Sequence, residues 1–142
     1  FNAFAEQENI PQIFNQTNRA LKKMNLRGLF MAMAMLKIKN REMTLSVAGM
    51  PSVLIYRAAT ENVEEIAVRA MPLGSVSNFA YQEREICLAE NDCVLLMSDG
   101  FPEMFNDRDE MLGFEKAAEI LPLIAGKSAQ EIINSLVQTG DN

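Results

Sequence analysis

The stretch Asn91-Asp92-Cys93-Val94-Leu95-Leu96-Met97-Ser98-Asp99-Gly100-Phe101-Pro102-Glu103 decides how this chain is read. The apolar run Cys93 to Met97 has the length of a strand, is apolar on both faces, and so is expected at the centre of a sheet. It ends in Ser98-Asp99-Gly100, which delivers a carboxylate to the sheet rim. The glycine there lets the backbone turn sharply and a ligand approach closely. A carboxylate so placed suits a hard divalent cation. Taken alone, Asp-Gly after a strand is also an ordinary turn.

Working outward, Ile10, Ile13, Phe14, Thr17, Leu21 and Met24 recur at helical spacing, with Pro11 in the first turn and Gly28 placed to end the helix. Leu29 to Leu36 is apolar on both faces and calls for cover on both sides. Its methionines, Met31, Met33 and Met35, read as interior packing rather than a soft-metal surface. Asn40-Arg41-Glu42 is a polar turn, and Met43, Leu45 and Val47 then alternate with Thr44 and Ser46 to complete an antiparallel hairpin. Val53 to Tyr56 is a third strand, Ala58 to Asn62 a turn, and Ile66 to Val68 a short edge strand. Phe79 to Leu88 is a longer extended segment, exposed at Glu83, Arg84 and Glu85. Downstream, Phe114, Ala117, Ala118 and Leu121 mark one helix. Ser128 and Glu131 form a capping box ahead of Ile132, Ile133, Leu136 and Val137. A helix, five or six mostly antiparallel strands and two helices make the class α+β.

Length and composition narrow the chemistry. The 142 residues, 49% hydrophobic and 23% charged, suit one soluble globular domain. A net charge of -6 disfavours nucleic acid and anionic lipid as partners. With no histidine, Ser-His-Asp triads, Cys-His dyads and most zinc sites are excluded. Cys87 and Cys93 read as buried, reduced thiols. The acidic cluster Glu103, Asp107, Asp109 and Glu110 lacks the alternation and central glycine of a calcium loop and reads as solvated. The run from Leu29 to Leu36 is too short to cross a membrane. The chain opens Phe1-Asn2-Ala3 without an initiator Met or export signal. A cytoplasmic location is expected, and the missing Met points to an excised fragment.

Several segments together resemble the metal-dependent PPM-type protein serine/threonine phosphatases, in particular the sporulation protein IIE-like group of bacteria. Leu95 to Gly100, with Glu103 downstream, is similar to the family's strand ending in a metal-binding aspartate. Met31 to Ile38 resembles the strand that opens the second half of the domain. Val47-Ala48-Gly49-Met50-Pro51 with Val53 to Tyr56 resembles its Ala-Gly-His-x-Pro hairpin, Pro72-Leu73-Gly74 its Leu-Gly element, and Glu110 to Gly113 the segment before its late helix. Met50 stands where the family commonly has histidine, and Asn91 where it has glycine before Asp92.

The resemblance implies an α-β-β-α sandwich of mostly antiparallel sheets flanked by helices. Residues 1–142 would be a single partial domain, its second half, without the first metal-binding segment and the last strand. It implies two Mn²⁺ or Mg²⁺ ions in the complete domain, with Asp99 holding one and Gly100 letting the backbone pass beside it. Asp141 is a weaker match to the family's last ligand. The implied substrate is a phosphorylated regulatory protein such as an anti-sigma factor antagonist, with an upstream sensor domain in the same polypeptide. A catalytically degenerate, partner-binding domain is the alternative. With one confident ligand, the 142 residues alone are expected to be inactive, to bind Mn²⁺ weakly, and to use exposed sheet edges to form a homodimer or exchange strands.

Overall fold

The computed structural model describes residues 9–25, 28–105, 109 and 111–140. The chain divides into two compact units, one of Phe1–Met50 and Val68–Leu88, the other of Pro51–Ala67 and Ala89–Asn142.

In the first unit, helix α1 (Ile10–Met24) starts where Asn9 accepts a hydrogen bond from the Gln12 N–H at 3.2 Å, with Pro11 in the first turn. It ends at Asn25, in the left-handed region at φ 48°, three residues before Gly28. Asparagine tolerates that conformation, so the expected glycine stop was not needed. Strands β1 (Met33–Lys39) and β2 (Glu42–Ala48) pair antiparallel from Met33 opposite Ala48 to Lys39 opposite Glu42. The turn is only Asn40-Arg41, both at positive φ, which matches the twist of a two-residue hairpin; Glu42 already belongs to β2. Strand β5 (Arg84–Cys87) pairs with the other edge of β2. Helix α1 packs on β2, and Ile10, Phe14, Ala48, Leu73 and Tyr81 form a core against which Met31, Met33 and Met35 pack, as read from the sequence.

Two expectations for this unit change. Leu29 and Phe30 precede β1 and are 72% and 58% exposed, so the Leu29 to Leu36 run is not a strand covered on both faces. Among the described residues Met31 pairs only with Leu73, through two 2.9 Å hydrogen bonds. The extended segment from Phe79 yields a strand only from Arg84. Before it, the rings of Phe79 and Tyr81 stack edge-on with centroids 5.0 Å apart, Tyr81 meets Phe14 at 5.5 Å, and Ser46 Oγ donates to the Gln82 carbonyl. Ring packing and a side-chain hydrogen bond replace the ladder there.

In the second unit, β3 (Val53–Arg57) is flanked by β4 (Asn62–Ile66) and β6 (Cys93–Leu95), both antiparallel to it. The expected central strand is therefore an edge: β6 pairs only with β3 among the described residues, its side chains are half-buried, and Leu96 lies beyond it at 36% exposed. A doubly apolar run implies cover on two faces but says nothing of how many edges are paired. Val53, Leu54 and Ile55 of β3 are the buried residues. Strand β4 stops at Ile66, so Ala67 and Val68 fall outside the expected edge strand. Helix α2 (Gly113–Ile124) packs on β3 and β4 through Ala117 and Leu121, and α3 (Ala129–Gly140) packs on α2 through Ile132 and Leu136. The capping box forms as expected, with Ser128 N–H donating to Glu131 Oε2 at 3.0 Å and Glu131 N–H to Ser128 Oγ at 3.4 Å. Neither cysteine forms a disulfide, but Cys87 is exposed and Cys93 half-buried, because β5 and β6 are edges among the described residues.

Among the described residues, three helices and two antiparallel three-stranded sheets confirm the α+β class. Among the described residues, no helix is long and apolar enough to cross a membrane.

Candidate functional site

Strand β6 carries an aspartate near each end. Asp92 stands just before it. The pairing of Tyr56 with Cys93 puts Arg57 opposite Asp92, and the guanidinium Nη1 meets Asp92 Oδ2 at 2.9 Å. The same carboxylate accepts from the Ala58 N–H at 3.0 Å and the Ala89 N–H at 2.9 Å, and its side chain is 1% exposed. Burial alone would push the Asp92 pKa up. The Ala89 N–H, the Arg57 guanidinium and the Ala58 N–H outweigh it and hold the carboxyl below its ordinary value. Asn91 makes the tight turn into this arrangement at φ 65°. Glycine would fit that conformation best and asparagine tolerates it, which accounts for the asparagine noted in the sequence.

Asp99 stands beyond the other end of β6, in an exposed turn closed by the Glu103 N–H donating to the Asp99 carbonyl at 2.9 Å. Backbone bonds from Gly113 to Pro102 and from Leu112 to Met104 tie the turn to the start of α2. The Asp99 carboxylate has no hydrogen bond or ion pair to another described residue. Gly100 does not adopt positive φ, so the turn itself does not demand glycine; among the described residues a Cβ there would meet only Ser98 Oγ, at 3.4 Å, and the backbone is open to them on that side. An uncommitted carboxylate at a rim beside open backbone fits one oxygen ligand of a hard divalent cation. Among the described residues, no three or more Cys, Asp or Glu side chains converge into a metal-binding group. Glu103 and Asp109 are exposed; Asp107, Glu110 and Asp141 lie outside the described residues.

Two buried polar residues that position backbone were not picked out from the sequence. One is Asp92 with Arg57; an Asn-Asp turn before a strand was its available signal. The other is Asn18 on α1, whose Oδ1 accepts from the Gly74 N–H at 2.6 Å while its Nδ2 donates to the Val76 carbonyl at 2.9 Å. The hairpin and Leu-Gly landmarks meet physically. Gly49, at φ 65°, donates to the Ala70 carbonyl, and a Cβ on it would sit 2.5 Å from Pro72 Cγ, so only glycine fits.

This architecture recurs in solved structures. The chain superposes on the SiaA-PP2C domain of Pseudomonas aeruginosa with a TM-score of 0.77 at 20% identity, covering 92% of this chain and 51% of that one. It superposes on the RsbU and RsbW domains of Rv1364c from Mycobacterium tuberculosis with a TM-score of 0.70 at 21% identity, covering 96% and 37%. A Mn-presoaked phosphatase domain of the cell fate determinant SpoIIE from Bacillus subtilis matches with a TM-score of 0.60 at 13% identity, covering 98% and 61%. The chain thus spans between 37% and 61% of the length of these structures. No curated protein sequence matches it significantly. The model of the stage II sporulation protein E (SpoIIE) family matches residues 1–141, nearly the whole chain, and the fold agrees: the chain belongs to the SpoIIE family.

Proposed function

We propose that this chain is part of a metal-dependent protein serine/threonine phosphatase acting in bacterial signalling. The observation that carries the reading is Asp99, a carboxylate with no described partner in an exposed turn beyond a short strand, next to Gly100, in a chain of the SpoIIE family. Asp99 would be one ligand of a Mn²⁺ or Mg²⁺ pair, and residues beyond the described part of the chain would supply the others. When bound, such ions activate water and clamp the oxygens of an in-line displacement at phosphorus. This chain's own contribution is to hold the Asp99 carboxylate at the rim and leave room beside it.

The substrate we favour is a phosphoserine or phosphothreonine on a regulatory protein such as an anti-sigma factor antagonist. An upstream sensor domain in the same polypeptide would control the activity. The family match and the likeness to a chain holding RsbU and RsbW domains support this reading. The test is Mn²⁺-dependent phosphate release from a phosphoserine protein by the full-length protein, before and after chelation. Release that stops on chelation and returns with Mn²⁺ is expected. Stable partner binding with no release under any divalent ion would overturn the enzyme and favour a degenerate binding domain.

A further inference from the structure

The Asp99 carboxylate has no partner among the described residues, and the β6 ladder ends at Leu95, so its place is set by the backbone turn that carries it. Carbonyls of that turn accept backbone N–H groups: Asp99 from Glu103 and Pro102 from Gly113, each at 2.9 Å, Phe101 from Met104 at 3.1 Å, and Met104 from Leu112 at 2.9 Å. Leu112 and Gly113 are the N-cap and first residue of α2. A helix start leaves four N–H groups without an intrahelical acceptor, and a Ser, Thr, Asp or Asn side chain commonly satisfies one. Helix α2 has leucine at that position and no side-chain cap hydrogen bond; the Pro102 carbonyl takes the Gly113 N–H instead. The turn caps the helix, and the helix start holds the turn.

Gly113 makes this connection at φ 76°, where a residue with a side chain is strained. Phe101, two residues beyond Asp99, supplies a second hold. Its half-buried side chain packs against the cluster of Leu54, Ala117 and Leu121 and against that of Ile124, Ile132 and Leu136, which seats the turn in two buried clusters of the second unit. An exposed carboxylate is thus carried on a turn anchored on both sides of it in sequence, by the β6 ladder before and by Phe101 and Gly113 after.

Given the reading of Asp99 as a metal ligand, on which this rests, we propose that Phe101 and Gly113 are positioning residues for that carboxylate, holding it where a divalent cation meets it without touching the ion themselves. A ligand that must first be ordered binds more weakly than one already in place. Groups behind a metal ligand that fix its orientation commonly change affinity by about 10- to 100-fold when removed. A purely structural role would differ: loss of packing would lower stability and leave the affinity of the folded protein unchanged.

The test titrates the full-length protein with Mn²⁺ and follows binding by electron paramagnetic resonance, which does not depend on turnover; phosphate release from a phosphoserine protein is measured on the same preparations. Phe101→Ala should weaken Mn²⁺ binding about tenfold or more in protein that circular dichroism shows folded. Phe101→Leu, which keeps an apolar side chain against both clusters, should restore binding to within about threefold of the wild type. Gly113→Ala, strained at positive φ, should weaken binding about tenfold and decides the matter where Phe101→Ala fails to fold. The control Val63→Ala takes volume from the packing around Leu54, Ala117 and Leu121, on β4 at the opposite edge of the sheet from β6. It should lower stability while leaving Mn²⁺ affinity within about twofold of the wild type. Unchanged Mn²⁺ binding in the folded Phe101→Ala or Gly113→Ala protein, equal weakening in Val63→Ala, or no rescue by Phe101→Leu overturns the inference, and metal-dependent release by the wild type then keeps the phosphatase reading. The expected differences in Mn²⁺ binding without phosphate release uphold the inference and overturn the phosphatase reading; a wild type that binds no Mn²⁺ overturns both.

Discussion

Asp92 and Asp99 flank the same short strand, yet the fold uses them in opposite ways. Three donors surround the Asp92 carboxylate, which is almost wholly buried; Asp99 sits in an exposed turn with no described partner. A carboxylate with its lone pairs committed to Arg57, Ala58 and Ala89 holds two turns and the start of β6 together. One with uncommitted lone pairs contributes little to the fold and is available to a ligand. The contrast separates an architectural aspartate from a candidate functional one, although both precede or follow the same apolar run.

The largest stability effect is expected from Asp92→Ala, which removes the buried one of the two carboxylates on the Arg57 guanidinium, leaving Glu64, and leaves the Ala58 and Ala89 N–H groups without their side-chain acceptor. It should destabilise the protein by about 2–4 kcal/mol in chemical denaturation. A loss no greater than that of an exposed-site substitution would remove the architectural role. Asp92→Asn tests the same point through pH. The folded-state pKa of Asp92 lies below its ordinary value of 3.8, so its contribution is fully present above that value and lost as pH falls through the folded pKa. The wild type should therefore lose stability below pH 3.8 more steeply than Asp92→Asn, measured by denaturation across the acid range. Equal slopes would mean that Asp92 is not held charged.

Leu96→Asp sharpens the comparison along the strand itself. The apolar run suggested a core position that no charge could occupy. Leu96, however, lies past the ladder and is partly exposed, so the change should cost this chain about 1 kcal/mol or less. Failure to fold would restore the central placement. The smallest effect should come from Asn91→Gly, which removes a mild left-handed strain while adding unfolded-state entropy; the two nearly cancel, and the midpoint should move by about 0.5 kcal/mol or less.

Local patterns were legible where chemistry and spacing act within a few residues. The Ser128 and Glu131 box, the turn before β2 and the apolar face of α1 all formed, because each depends on neighbours in sequence. What could not be read depends on partners far along the chain. The position of β6 at a sheet edge follows from β3 pairing with β4 on its other side, the ion pair of Arg57 and Asp92 from cross-strand register, and the grip of Asn18 on Gly74 from packing across 56 residues. Asp99 was singled out through a family resemblance, and its exposed rim position is consistent with that reading without completing a ligand set.

The central claim is that Asp99 serves chemistry and not the fold, and Asp99→Asn in the full-length protein tests it most directly. Phosphate release from a phosphoserine protein with Mn²⁺ and the denaturation midpoint are to be measured on the same preparation. A neutral amide keeps the shape of the side chain but is a poorer ligand for a hard cation. The expected result is a loss of turnover on the order of 100-fold or more, with a stability change within about 0.5 kcal/mol. Near wild-type turnover in the folded variant, or a loss of activity matched by loss of structure, would contradict it.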